Sequence, residues 1–219
     1  MDKWDILISL FWHYFMSPDP DGAPRAKELI KWYVANNGET FKGDTPAWKR
    51  FMKSQQKIKD EEKRFYDELA RELCQDKKAK TGTVKRDARS LSLESEAMKF
   101  TLHGCHRIGV SGSYEVEIKG AYYVVSFVNN TWTWFDKGDL HGNLATKLKS
   151  GVVIPDQALL ELGKLLGGKE YPIEISWETS RKIRIPRERT LCGAVCDDPE
   201  KYGNCDNRTY DHERCYRHR

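Results

Sequence analysis

Three stretches between residues 112 and 135 have the hydrophobic patterns of β-strands. In residues 113–119 apolar and polar side chains alternate, as they do in a strand with one buried face. Residues 121–128 are almost wholly apolar, which is typical of a strand covered on both faces. Alternation resumes in residues 131–135 after two asparagines. The pattern predicts a three-stranded β-meander.

Helical periods of three and four residues dominate the chain before this meander. Residues 4–15 and 24–36 are predicted as two short helices. Residues 45–73 are predicted as one long helix with a single apolar stripe. Thr45 is suited to be its N-cap and Pro46 to occupy its first turn. We therefore expect a helical N-terminal third.

One more helix and a hairpin are predicted after the meander. Leucines recur between Pro155 and Leu166, and the glycines at 167–168 provide a C-terminal stop. Residues 171–177 and 181–185 are predicted as the strands of a final hairpin. The predicted fold class is α+β, with a helical N-terminal region and a small, partly open antiparallel β-barrel-like sheet that carries one packed helix.

Composition divides the chain into four parts. Residues 1–74 are predicted as a helical N-terminal region, 75–96 as a basic linker, 97–189 as a β-rich activity domain and 190–219 as a cysteine-rich tail. The linker has almost no bulky apolar side chains, so a solvated segment is the simpler interpretation. Its lysines and arginines would also attract anionic lipid or nucleic acid.

The overall charge is too balanced to indicate nucleic-acid binding by itself. Lys and Arg number 37 against 33 Asp and Glu, a net charge of +4. No apolar run reaches the length of a bilayer span. The most apolar stretch, residues 6–15, contains His13 and follows Asp2 and Asp5. It is predicted to be a buried helix and not a secretory signal.

Four of the six cysteines crowd the end of the sequence, at Cys192, Cys196, Cys205 and Cys215. So few apolar residues accompany them that a cross-link or a metal would have to hold the segment together. Their spacing is not the paired C-x2-C of common structural zinc sites, although His212 and His218 lie nearby. Two disulfides are the favoured interpretation, with zinc and free thiols as alternatives, and disulfides would indicate an oxidising compartment.

Two carboxylates and a histidine follow the last predicted strand of the meander. Asp136, Asp139 and His141 lie within six residues, on a loop that a rigid sheet can hold open to substrate. Carboxylates three residues apart can ligate Mg²⁺, and a nearby histidine can transfer a proton near neutral pH. The structural alternative is an Asx-type turn followed by a helix cap.

Further candidates lie on either side of this cluster. Arg107 has a planar guanidinium suited to phosphate, and His106 offers a second imidazole. His103 and Cys105 would join His106 in a metal site, although a local structural cluster is the simpler interpretation. Alternate positions on one strand give Trp132 and Trp134 a common face, which either packs in the core or binds a prenyl chain or a sugar.

Five segments follow one another in an order that is known from a protein family. They are GSYEV at 112–116, GAY at 120–122, NTWT at 130–133, DKGD at 136–139 and GKEYPI at 168–173. Through them, residues 108–186 resemble the activity domain of colicin M and related bacteriocins. The resemblance implies a small, partly open β-barrel with helices that cleaves lipid II, the undecaprenyl-pyrophosphate-linked peptidoglycan precursor, in the periplasm with magnesium.

The family pattern is Asp, any residue, Tyr, Asp, followed several residues later by His-Arg. Asp136 and Asp139 match its two aspartates, whereas Gly138 stands at the tyrosine. Ala145 and Thr146 stand where His-Arg is expected. The missing imidazole would come from His141, or from His106 together with Arg107. The tail, from Tyr210-Asp211 to His218-Arg219, repeats the family's letters and is a rival location.

These observations lead to one favoured function and two alternatives. The resemblance implies an antibacterial toxin that hydrolyses lipid II or a related phosphoester with Mg²⁺ and is delivered to the periplasm of target bacteria. Its expected partners are the lipid-linked precursor, a cognate immunity protein and a secretion-system carrier, and nucleic acid is not expected. The alternatives are a non-enzymatic glycan- or protein-binding module of a secreted protein and a Mg²⁺-dependent nuclease toxin.

Overall fold

The computed structural model describes residues 21–88, 90–95, 98, 102, 107–138, 145–147, 153–155, 161, 167–187, 189–191 and 208–210. Three helices lie in this part of the chain: α1 (Ala23–Ala35), α2 (Pro46–Ser54) and α3 (Gln56–Leu73). Its strands are β1 (Phe41–Gly43), β2 (Lys80–Ala88), β3 (Arg107–Lys119), β4 (Tyr122–Gly138), β5 (Ala145–Lys147), β6 (Val153–Pro155), β7 (Tyr171–Pro186), β8 (Arg189–Leu191) and β9 (Arg208–Tyr210). None of the described helices is long and apolar enough to cross a membrane.

The main sheet has five strands in the order β1-β7-β4-β3-β2. A turn at residues 120–121 joins β3 to β4, and Gly120 there has φ +55°, a conformation that glycine adopts without strain. β1 pairs in parallel with β7, with Phe41 opposite Ile173. The sheet is therefore mixed and open, which confirms the predicted α+β class with a partly open sheet.

Two short ribbons accompany the main sheet. β5 pairs antiparallel with β6, and β8 pairs antiparallel with β9, where Thr190 lies opposite Thr209. The contacts within the chain group it into two units, which are described separately. Unit 1 comprises Met1–Phe65, Val84–Gly112 and Asn129–Thr179, and unit 2 comprises Tyr66–Thr83, Ser113–Val128 and Ser180–Arg219.

An aromatic layer between α3 and the sheet forms the core of unit 1. Phe65 meets the ring of Trp132 edge-on at a centroid distance of 5.3 Å. Trp132 in turn stacks on Trp177 of β7 at 6.4 Å. The indole Nε1 of Trp177 donates a hydrogen bond to Glu62 Oε1 at 2.6 Å, so the helix is fixed to the sheet by polar and apolar contacts together.

Side-chain hydrogen bonds mark the start of α2 and the break between α2 and α3. Thr45 Oγ1 accepts a hydrogen bond from the Trp48 backbone N–H, which confirms the predicted N-cap. The predicted helix over 45–73 is, however, two helices, because Gln55 is extended. At that point Ser54 Oγ and Gln55 Nε2 both donate to the carbonyl of Phe51, and such side-chain bonds compete with helix propagation.

Unit 2 is organised around the turn between β3 and β4. The rings of Tyr66 and Phe127 pack at a centroid distance of 4.6 Å. Arg187, at the end of β7, donates from its guanidinium to the Gly120 carbonyl at 2.9 Å. Its backbone N–H donates to the Ala121 carbonyl at 3.0 Å. These bonds fix the hairpin turn to the end of the neighbouring strand.

The predicted three-stranded meander is wrong, because residues 107–138 form two long strands. The asparagines at 129–130 were expected to end a strand, yet β4 continues through them. Asn129 takes the left-handed conformation, with φ +50°, which asparagine tolerates better than most residues. Asn130 is buried and packs against Gly112, where any side chain would collide with it.

Two further expectations are corrected. The segment at 75–96 was predicted as a linker, but it contains β2, the edge strand of the sheet. β2 includes the β-branched residues Thr81, Thr83 and Val84, which favour a strand, and the Val84 side chain is buried. The hairpin predicted over 171–185 is a single strand, β7. No glycine or proline lies between Trp177 and Arg181 to form a turn, and apolar alternation continues to Ile185.

Other expectations concern residues outside the described part of the chain. These are the helix at 4–15, most of the helix predicted to start at Pro155, and all cysteines except Cys74, which is buried and free. Pro155 itself is the last residue of β6. The helix predicted at 24–36 is confirmed as α1. The domain boundaries and the two tail disulfides stay predictions.

Candidate functional site

The C-terminal end of β4, which we call the carboxylate end, holds the side chain of Asp136. Its Oδ2 accepts a hydrogen bond from Trp134 Nε1 at 3.3 Å, and its Oδ1 accepts one from the Lys137 backbone N–H at 2.8 Å. Alternation along β4 places Trp132, Trp134, Asp136 and Gly138 on one side of the strand. The carboxylate therefore continues the side of unit 1 that packs against α3, which we call the helix side.

Tyr171 of β7 explains the glycine beside this carboxylate. A Cβ on Gly138 would lie 2.5 Å from ring carbons of Tyr171, so no larger residue fits there without displacement of the ring. The Tyr171 hydroxyl donates to the Leu29 carbonyl at 2.8 Å. Burial raises the pKa of the Tyr171 phenol, and the nearby charge of Asp136 raises that pKa further. Tyr171 is thus a protonated structural donor.

An exposed ion pair borders the carboxylate end. Lys137 Nζ lies 2.6 Å from Glu170 Oε2, and both side chains are about half exposed. Water screens a pair of this kind, so it contributes little to stability. The pair places opposite charges next to each other beside Asp136.

A polar groove lies on the opposite side of β4 in unit 1, which we call the groove side. Its volume is about 570 Å³, and residues of β2, β3 and β4 line it: Lys85, Arg86, Asp87, Arg107, Gly109, Val110, Ser111, Thr131, Thr133 and Phe135. The Arg107 guanidinium carbon lies 4.5 Å from the centroid of the Phe135 ring. Arg107 Nη1 is 3.9 Å from Asp87 Oδ2. The groove thus combines cations, hydroxyls and one aromatic ring.

The structure separates the two predicted catalytic residues that it describes. Arg107 contacts Phe135 on the groove side, whereas Asp136, the next residue of β4, points to the helix side. The other predicted catalytic residues, Asp139, His141 and His106, lie outside the described part of the chain. Alternation along β4 predicts that Phe135 and Asp136 face opposite sides of the sheet. The sequence did not predict that Arg107 would lie on the same side as Phe135, because that contact depends on the pairing of β3 with β4.

The tryptophans proposed as substrate-binding residues are core residues. Trp132 and Trp134 are both 0% exposed. Their common face is confirmed, but it is buried: Trp132 packs against Phe65 of α3 and Trp177 of β7, and Trp134 donates to Asp136. Sequence reasoning missed the contact of Tyr171 with the carboxylate end, which arises only through strand pairing. Lys85 belongs to the basic segment that was predicted to attract anionic lipid or nucleic acid, but its place beside Arg107 was not predicted.

Magnesium was expected at Asp136 and Asp139. Among the described residues no group of three His, Cys, Asp or Glu side chains is arranged to hold a metal ion. Asp136 supplies a carboxylate, the kind of oxygen ligand that Mg²⁺ prefers, so it would account for one ligand position. The remaining ligands would have to come from the residues after Gly138.

Comparisons with known proteins give distant structural likenesses, among them pectocin M2. No family model matches the sequence, and no curated protein matches it. The crystal structure of pectocin M2 is similar over 85% of this chain and 65% of its own, with 12% sequence identity and a TM-score of 0.36. This chain therefore covers less than two-thirds of pectocin M2, and a likeness at this level assigns neither a family nor an activity.

Proposed function

We propose that this protein is an antibacterial toxin that hydrolyses lipid II or a related lipid-linked phosphoester at the carboxylate end of β4. The observation that carries the proposal is the position of Asp136. It is the first aspartate of the segment that resembles colicin M, and two hydrogen bonds fix its carboxylate at the end of a long strand. A carboxylate held in this way is suited to chemistry at a phosphate ester.

The residues after β4 complete the proposed site. Asp136 orients an attacking water or holds a cation, and Asp139 and His141, three and five residues further on, supply a second carboxylate and a proton carrier. Magnesium, when bound, would neutralise negative charge on the phosphate oxygens. Arg107 is not part of this proposed site, because its guanidinium contacts Phe135 on the groove side.

The setting of the proposed reaction follows from the same resemblance. The substrate lies in the periplasm of a target bacterium, where the tail cysteines would be oxidised. A secretion-system carrier would deliver the toxin, and a cognate immunity protein would protect the producer. The binding-module alternative depended on displayed aromatic side chains, and the full burial of Trp132 and Trp134 argues against it. The nuclease alternative is an outcome of the test below.

The test compares the intact protein with Asp136→Asn, which keeps the size of the side chain and one oxygen acceptor but removes the charge. We expect Asp136→Asn to slow cleavage of purified lipid II by a factor of about 10² or more. Toxicity on expression with an export signal should fall in parallel. Asp44→Asn, an exposed aspartate next to β1, is the matched control and should cleave as the parent does.

Circular dichroism and thermal unfolding should show that both variants keep the fold. A folded Asp136→Asn protein that cleaves and kills like the parent would remove Asp136 from the reaction. A parent protein that binds lipid II without cleaving it would favour the binding module. Killing from the cytoplasm, with degradation of DNA or RNA that Asp136→Asn abolishes, would favour the nuclease.

A further inference from the structure

We propose that the polar groove lined by β2, β3 and β4 in unit 1 binds a phosphate group of a ligand, at a site separate from the carboxylate end. The proposed contacts are the Arg107 guanidinium, the Lys85 ammonium and the hydroxyls of Ser111 and Thr131, all of which line the groove. Phosphate oxygens accept several charge-assisted hydrogen bonds at once, and these groups supply donors of both cationic and neutral kinds.

Arg107 is held in place by contacts that leave its N–H groups usable. The guanidinium lies over the Phe135 ring, at 4.5 Å from the centroid, which restricts the orientation of its plane. Its 3.9 Å approach to Asp87 is longer than a hydrogen bond, and the two side chains are 53% and 64% exposed. Such a contact is weak in water, so a bound phosphate can replace it with two parallel N–H bonds.

Lys85 supplies the second positive charge. It lies on β2 two residues before Asp87, so both side chains point to the groove side. The Lys85 side chain is exposed, and it makes no hydrogen bond or ion pair with any residue that the structure describes. An ammonium without a carboxylate partner in this part of the chain is available to an anionic ligand.

Gly109 forms the floor of the groove. A Cβ at this position would lie 3.3 Å from Asp87 Oδ1 and 3.6 Å from Phe135 Cε2, so a side chain would project between the cationic and aromatic walls. The glycine leaves that volume to a ligand. Ser111, two residues further along β3, adds a hydroxyl on the same side of the strand.

The neighbouring strand β7, which pairs with β4 beside the groove, limits where an anion can bind. Thr133 Oγ1 and Ser176 Oγ are hydrogen-bonded at 3.0 Å, which places Ser176 on the groove side. Alternation then places Glu174 and Glu178 there as well, and their charges repel an anion from that edge. The favourable position is therefore near β2 and β3. The Arg86 guanidinium lies over the Phe65 ring of α3, on the helix side, so two cations, Lys85 and Arg107, remain for the ligand. Two cations suit one phosphate group, whereas a polynucleotide needs a longer basic track.

The experiment is isothermal titration of the intact chain with inorganic pyrophosphate at low salt. We expect Arg107→Ala to weaken binding by about tenfold or more, and Lys85→Ala to weaken it several-fold. Asp87→Asn should strengthen binding about two- to fivefold, because it removes a negative charge beside Arg107. The matched controls are Arg50→Ala and Lys42→Ala, which change exposed cations on α2 and β1 and should leave binding unchanged.

A second arm identifies the source of the phosphate. Vesicles of phosphatidylglycerol are compared with vesicles of phosphatidylcholine. Binding of pyrophosphate that Arg107→Ala weakens supports a soluble phosphate ligand. Binding only to phosphatidylglycerol, again lost in Arg107→Ala, supports a lipid headgroup. The proposal is overturned if neither probe binds the parent, or if the Arg50 and Lys42 controls weaken binding as much as the groove variants.

These outcomes are separate from those for hydrolysis. Asp136→Asn should bind pyrophosphate as the parent does, because its carboxylate lies on the helix side. Loss of hydrolysis with retained binding keeps both proposals. Hydrolysis by a parent that binds neither probe would contradict the groove site alone.

Discussion

The two sides of β4 in unit 1 differ in burial and polarity. On the helix side, Trp132 and Trp134 are fully buried and lead to a carboxylate held by two hydrogen bonds. On the groove side, Thr131, Thr133 and Phe135 line a groove with exposed cations. One strand thus serves packing and proposed chemistry on one side and proposed ligand binding on the other. Adjacent residues of a strand can therefore belong to different functions.

The largest expected difference between the two sides is in stability. Trp132→Ala removes a fully buried ring that contacts Phe65 and Trp177, and it should lower the free energy of unfolding by about 3–5 kcal/mol. Phe135→Ala, on the groove side, should cost about 1 kcal/mol, since it loses a partly exposed ring and one cation–π contact. Urea unfolding measures both. Equal losses would show that the two sides are packed alike.

Alanine substitutions at Gly138, on the helix side, and Gly109, on the groove side, compare the packing of the two sides through smaller stability changes. Gly138→Ala should destabilise by about 1–3 kcal/mol, because the added Cβ would lie 2.5 Å from the Tyr171 ring. Gly109→Ala should change stability by no more than about 0.5 kcal/mol, because its nearest neighbour is the exposed end of Asp87. Thermal unfolding of both variants measures the difference. A Gly138→Ala protein as stable as the parent would contradict the packing of Tyr171 described for the helix side.

The smallest expected effect concerns Tyr171 and alkaline pH. Its pKa is raised in the folded protein, so the folded state holds the proton more tightly than the unfolded state does. The stabilisation from this difference is complete below the unfolded pKa of about 10 and is lost as the pH rises above it. Tyr171→Phe should cost about 1 kcal/mol at pH 8 through loss of the bond to Leu29 and should reduce alkaline destabilisation.

Urea unfolding at pH 8 and near pH 11 checks this prediction. Tyr122→Phe, which changes an exposed tyrosine, is the control and should keep the pH dependence of the parent. If Tyr171→Phe lost stability between these pH values as steeply as the parent does, the buried phenol would not be the cause.

Local patterns in the sequence predicted the features that depend on neighbouring residues. The cap at Thr45 is fixed by its own backbone and side chain, and α1 by a proline and a helical period, so both were predicted. The common face of Trp132 and Trp134 follows from alternation alone. Asn129 was misread as a strand break because a local propensity cannot show that pairing continues on both sides of it.

Features that depend on distant pairing were not predictable in this way. The fit of Gly138 to Tyr171 joins residues of β4 and β7, and the groove joins residues of β2, β3 and β4. The sequence of β2 predicts a linker because, among its side chains that the structure describes, Val84 is the one buried apolar residue. Its role as an edge strand comes from the neighbouring strand and not from its own hydrophobicity.

The most direct test of the separation between the two sides is a residue-resolved NMR titration of the intact protein with pyrophosphate. We expect backbone amide shifts to concentrate at Lys85, Asp87, Arg107 and Gly109, which line the groove. They should be small at Gly138 and Tyr171 on the helix side. Shifts centred on Gly138 and Tyr171, with none in the groove, would contradict the assignment of phosphate binding and of the carboxylate site to opposite sides of β4.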